Sequence, residues 1–183
     1  MILLYGYAGD IIGKSCEADQ KSAESDAGRM LLARLLEENG IEARLDNIKR
    51  KENGKPYLEG CPEIDFSITH SKGFVACVLS LGEGRVGIDA EPSETAYTKD
   101  KQRALAKRFF SESEIEALDC GEKSFSELWT RREAYLKMTG EGFAAGIGKE
   151  LEGVHAAAFC LCGYTVAVAA ESGAEIELKA YNK

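Results

Sequence analysis

Histidine is scarce in this chain. Only His70 and His155 occur in 183 residues, which excludes a histidine-rich metal centre. Six cysteines are present, at 16, 61, 77, 120, 160 and 162, but none forms a C-x-x-C pair. A finger-type zinc site needs such pairs and is excluded too. No apolar run approaches the ~18 residues that span a bilayer. The opening Met1–Tyr7 is apolar, lacks a basic lead-in and soon meets Asp10. It reads as a first strand and not as a secretory signal. Free buried thiols in a reducing cytosol are then expected, with Cys77 and Cys160 placed inside apolar runs. The chain also lacks net positive charge: 23 Lys and Arg face 31 Asp and Glu, a formal −8. A large nucleic-acid footprint needs a basic surface, so neither nucleic acid nor a membrane is expected as a partner.

What is present suits a packed α+β protein. At 44% hydrophobic and 30% charged, the chain can build a core as one domain or two small, closely packed halves. Ala23 to Asn39 carries Ala27, Met30, Leu31, Leu35 and Leu36 near one helical face, and Asn39-Gly40 is a stop signal. Phe66–Thr69 and Phe74–Leu81 read as strands about a turn, and the second is continuously apolar, as a doubly buried strand is. Arg85–Glu91 reads as another strand. Helices are expected between 98 and 139, with capping-box patterns at Ser111/Glu114 and Ser124/Glu127. Closing strands are expected at Leu151–Cys162, Tyr164–Ala170 and Glu175–Tyr181. The boundary between the halves falls near 84, giving 1–84 and 85–183.

Two segments carry chemistry. In Gly87-Ile88-Asp89-Ala90-Glu91-Pro92, Asp89 and Glu91 are two apart on a strand and point the same way, their Cα atoms roughly 6–7 Å apart. A hard dication such as Mg²⁺ would relieve their mutual repulsion and leave positions for phosphate oxygens. Alone, D-x-E is as readily a solvated strand face. In the helical stretch Trp129 to Gly140, Trp129, Glu133 and Lys137 share one face at i, i+4 spacing. Glu133 and Lys137 alone are an ordinary surface pair, and Trp129 reads as a core anchor. Together, three acids with Lys137 and Arg132 suit a metal–diphosphate site. Gly54-Lys55-Pro56 is a turn, and Phe66-Ser67-Ile68-Thr69-His70-Ser71 ends a strand in polar groups.

These segments, in this order, resemble the 4′-phosphopantetheinyl transferase superfamily in its single-chain, surfactin-synthetase-activating form. The motifs are Gly54-Lys55-Pro56, Phe66 to Ser71, Gly87-Ile88-Asp89-Ala90-Glu91, Phe109-Phe110-Ser111 with Glu114, and Trp129 to Gly142. The resemblance implies two similar α/β halves about a pseudo-twofold, with coenzyme A between them. It implies Mg²⁺ on Asp89, Glu91 and Glu133, and phosphate contacts from Lys137 and His70, with Thr69 beside them; Arg132, standing where lysine is common, is expected to help stabilise the phosphate charge. Lys55 and Pro56 would lie near the nucleotide, and Arg29 near the 3′-phosphate. Ala90 stands where a larger aliphatic residue is usual, and Ser15–Ser25 is acidic where relatives place basic contacts.

The implied reaction is attack by a carrier-protein serine on the β-phosphate of coenzyme A. Glu133 and Lys137 would be the catalytic groups. Glu133 is one candidate base, a water on the metal the other. The partner would be an acyl, peptidyl or polyketide carrier protein, and the enzyme a cytoplasmic monomer. A different Mg²⁺-dependent enzyme of nucleotide diphosphates, such as a hydrolase, is the alternative, as is an inactive carrier-binding homologue. Lys99 to Arg108 holds five cations and one acid and is expected to border the face that meets the carrier.

Overall fold

In the computed structural model the described residues are 1–13, 19–42, 44–94, 97–142, 151 and 153–182. The elements run β1 (Ile2–Tyr7), α1 (Ala8–Ile12), α2 (Gln20–Glu38), β2 (Ile48–Arg50), β3 (Pro56–Leu58), β4 (Ile64–Ser71), β5 (Phe74–Leu81) and β6 (Val86–Pro92). They continue with α3 (Lys99–Phe109), α4 (Glu112–Asp119), α5 (Phe125–Thr139), β7 (His155–Leu161), β8 (Tyr164–Ala170) and β9 (Glu177–Ala180). The class is the expected mixture of helices and strands.

Two sheets form the centre, in the orders β4-β5-β1-β9 and β6-β8-β7. They pack through alternate residues: Leu3, Phe74 and Val78 from the first meet Val86, Ile88, Val166 and Val168 from the second. Such fully buried side chains each contribute ~1.5–3 kcal/mol. The other parity of the first sheet, Leu4, Val75, Cys77 and Leu79, meets Leu31, Leu32 and Leu35 of α2. The other parity of β8, Ala167 and Ala169, meets Ala134 and Met138 of α5. The order of layers is therefore helix, sheet, sheet, helix. β5 is apolar throughout because both its faces are covered, and Phe74 to Ser80 are all buried.

Local signals set the ends. Asp19 caps α2 by accepting from the Ser22 N–H at 3.2 Å, so the helix starts three residues before the expected Ala23. Ser111 and Glu114 form a reciprocal capping box on α4. Gly140 ends α5 at φ 74°. The β2–β3 hairpin around Asn53-Gly54, with Ile48 opposite Leu58, was not expected, because three-residue strands show no usable period. The last strand, β9, crosses back to pair in parallel with β1, so residues on the far side of position 84 complete the first sheet. Cys160 is exposed, against its expected burial, while Cys77 is buried. No helix among the described residues is long and apolar enough to cross a membrane.

The two sheets meet at a seam between β4 and β6. Both are edge strands, whose free backbone groups need partners. Side chains supply them. Asp65, Ser67 and Thr69 lie two apart on β4 and share one face. Asp65 accepts from the Val86 N–H at 2.8 Å, Ser67 Oγ from the Ile88 N–H at 3.2 Å, and Thr69 Oγ1 donates to Asp89 at 3.2 Å. The opposite parity, Phe66 and Ile68, faces the α2 core.

Candidate metal centre and cleft

On β6 the strand period sends Ile88 and Ala90 into the inter-sheet core. Gly87, Asp89 and Glu91 therefore face the other way, toward α5. A Cβ on Gly87 would lie 2.1 Å from Ala134 O and 2.5 Å from Met138 N. Only glycine lets the helix backbone come this near. That approach brings Glu133 to the two strand acids. One carboxylate oxygen from each of Asp89, Glu91 and Glu133 lies within 4.8 Å of the others.

The electrostatics are those of a site short of positive charge. Asp89 is 4% exposed. Its Oδ1 accepts from Lys137 Nζ at 2.7 Å and from Thr69, while its Oδ2 is buried without a hydrogen-bond partner. Burial, and then the Asp89 charge, push the Glu133 carboxyl up to about 8. The same two causes raise Glu91, whose carboxylate the Ser71 hydroxyl partly relieves. One lysine cannot balance three clustered carboxylates. An unpartnered buried oxygen among convergent acids fits a hard, oxygen-binding dication, so these residues fit Mg²⁺.

Glu133 and Lys137 also line a cleft of about 470 Å³ that runs past Pro56, Ser67 and His70 to Arg29 and Ser25 on α2. Arg29 is exposed there. His70 Nδ1 bonds Glu24 Oε2 at 2.9 Å, which fixes the ring. Two residues of the cleft and one behind it carry no local signal of this placement in the sequence. Arg50 and Asn53 line the wall; the basic run Lys49–Lys51 was visible, but the hairpin that aims it was not. Glu24 is buried in the otherwise exposed start of α2, and nothing in its neighbours signals that.

One expected phosphate-side residue, Arg132, sits elsewhere, and another expected residue, Lys55, is committed to the protein. Arg132 is 1% exposed and pairs with Glu114. Successive helical residues diverge by about 100°, so Arg132 turns toward α4 while Glu133 faces the strands. Lys55 borders the cleft, but its ammonium is bound to Asp65, Val86 O and Met138 O. Trp129 is the core anchor expected, stacked on Phe125 and edge-on to Phe109.

Residues 85–168 match the family model of the 4′-phosphopantetheinyl transferase superfamily. In that region the chain is similar to this superfamily, and the similarity to named members extends beyond it. It is 32% identical over 132 residues to the 4′-phosphopantetheinyl transferase Sfp of Bacillus subtilis, covering 66% of this chain and 56% of that protein. It is 35% identical over 128 residues to the 4′-phosphopantetheinyl transferase gsp of Aneurinibacillus migulanus, 64% of this chain and 50% of the relative. With the 4′-phosphopantetheinyl transferase AcpT of Salmonella typhi the identity is 34% over 119 residues, 62% and 57% of the two chains. The chain thus spans about half the length of the curated relatives it matches. The matched superfamily region holds Asp89, Glu91, Glu133 and Lys137, whereas Arg29, Lys55, Pro56, Thr69 and His70 precede it.

Proposed function

We propose that this protein transfers the 4′-phosphopantetheine group of coenzyme A to a serine of an apo carrier protein. The observation that carries the reading is the convergence of Asp89, Glu91 and Glu133 beside Lys137, next to a cleft that Glu133, Lys137 and Arg29 line together. A diphosphate at the acids would leave the nucleotide along the cleft wall of Pro56, Ser67 and His70, with the 3′-phosphate toward Arg29.

The three carboxylates would hold Mg²⁺, which supplies charge stabilisation at the diphosphate when bound. Lys137 would give its ammonium to a phosphate oxygen in place of Asp89. His70, fixed by Glu24, would present its other nitrogen to the same ligand. The serine oxygen forms a bond to the β-phosphorus, the bond from that phosphorus to the bridging oxygen breaks, and adenosine 3′,5′-bisphosphate leaves. The serine proton would go to Glu133, which lines the cleft together with Lys137.

The carrier's docking face would include α3. Lys99, Lys101, Arg103, Lys107 and Arg108 are all exposed, and Phe109 packs on Trp129, which fixes α3 to the catalytic helix. An acidic carrier would be steered by that face despite the enzyme's own negative charge. The acids and cleft come from one chain, so the enzyme would act as a monomer.

The test is mass spectrometry of apo acyl, peptidyl and polyketide carriers after incubation with the protein, coenzyme A and Mg²⁺. The carrier should gain one phosphopantetheine on its serine. Release of adenosine 3′,5′-bisphosphate with no carrier modified would instead identify a hydrolase and overturn the reading.

A further inference from the structure

Behind the cleft lies a cation committed wholly to the protein. The Lys55 side chain is 3% exposed. Its ammonium has three protons to donate, and three acceptors take them: the Asp65 carboxylate, Val86 O at 3.2 Å and Met138 O at 3.0 Å. The acceptors lie on β4, β6 and the last turn of α5. Val86 stands three residues before Asp89 on the strand, and Met138 five after Glu133 on the helix. Asp65 Oδ2 also accepts from the Val86 N–H, so both backbone groups of Val86 are held by this one pair. The last carbonyls of a helix lack internal partners and attract cations, which makes Met138 O a natural end point. Next to these anchors lies Gly87, where the helix backbone is so near that a Cβ would meet Ala134 O and Met138 N.

We propose that Lys55 and Asp65 form a strut that sets the separation between the strand acids and the helix acid, and so act as positioning residues for the metal site. Lys55 then serves the site from behind and does not hold a phosphate. This deepens the transferase reading, but its main test is independent of that reading. Asp65 borders a different recess, alongside Tyr57, Cys61 and Arg85, and not the cleft. Asp65→Asn can therefore reach the acids only through the strut.

The experiment measures Mn²⁺ affinity of the metal-free protein by electron paramagnetic resonance for Lys55→Met, Asp65→Asn and the double variant. Circular dichroism confirms folding, and the double variant leaves no unpaired buried charge. Partners that orient ligands typically change metal affinity ~10–100-fold. Each single change should weaken Mn²⁺ binding by that order, and the double variant should be no weaker than the worse single one. With coenzyme A as substrate, kcat should fall more than KM rises. Mn²⁺ affinity unchanged in Asp65→Asn overturns the strut, whether or not transfer is ever observed. So does a Lys55→Met protein with normal Mn²⁺ affinity and a raised KM for coenzyme A, since Lys55 is then a ligand contact.

Discussion

The helices on the two outer faces do different work. α2 covers the first sheet with Leu31, Leu32, Leu35 and Leu36, a large apolar interface, and reaches the cleft only through its first turns, at Glu24, Ser25 and Arg29. α5 covers the second sheet with Ala134 and Met138 on Ala167 and Ala169, and its backbone leaves no room for a Cβ at Gly87. Small side chains give up buried area and bring backbones together. At α5 that nearness lets Glu133 and Lys137 reach Asp89. The same layer arrangement thus yields a stabilising face on one side and a chemical face on the other.

The sharpest way to break this contrast is one change on each helix. Glu133→Gln should lower turnover at least ~10²–10⁴-fold, the usual contribution of a positioned base, with the fold intact by circular dichroism. Leu35→Ala should cost ~2–5 kcal/mol in urea unfolding, as expected for a buried leucine, with Mn²⁺ affinity unchanged. Exchange of these two outcomes would dissolve the distinction.

Next come the two glycines at the points of closest approach. A Cβ on Gly87 meets helix backbone, whereas a Cβ on Gly28 meets the Ile68 Cγ2 methyl at 2.6 Å. A side chain can shift more readily than a helix. Gly87→Ala should cost ~2–3 kcal/mol, at the upper end of overpacking, and lose metal binding. Gly28→Ala should cost less than half of that by thermal unfolding and keep it.

A smaller effect follows from the acids themselves. Glu133 rises from an ordinary 4.5 to about 8 in the folded protein. Between those values the native state holds this proton more tightly than the unfolded chain does. Its contribution is full below about pH 4.5 and is lost as pH rises through about 8. Glu133→Gln should flatten that part of the Tm-against-pH curve of metal-free protein, measured by calorimetry. Parallel curves would show that the acids do not crowd one another.

The smallest effect concerns α3. Reversing Lys107 and Arg108 to glutamate should raise the carrier KM several-fold at low salt, fading as salt screens the charges. An unchanged KM removes this face from the docking surface.

How much of this was legible in the sequence depended on the range of each interaction. Asp89 and Glu91 follow from the strand period and Glu133 and Lys137 from the helix period, so each pair could be read locally. The capping box at Ser111 was legible for the same reason. Lys55 was not, because its acceptors lie on three elements that meet only across the β4–β6 seam. Arg132 looked like a phosphate ligand because it adjoins Glu133 in sequence, though adjacent helical residues point apart. The capping role of Glu114 is local in sequence, but its second role as the partner of Arg132 is a tertiary contact. The β2–β3 hairpin was too short to show a period, which hid Arg50 and Asn53.

The account turns on three carboxylates sharing one ion. A crystal structure of the protein soaked in Mn²⁺, with anomalous data, tests that directly. A single peak should lie within ~2.0–2.3 Å of oxygens from Asp89, Glu91 and Glu133, with Lys137 Nζ displaced from Asp89. A peak that omits Glu133, or none at saturating Mn²⁺, would contradict it.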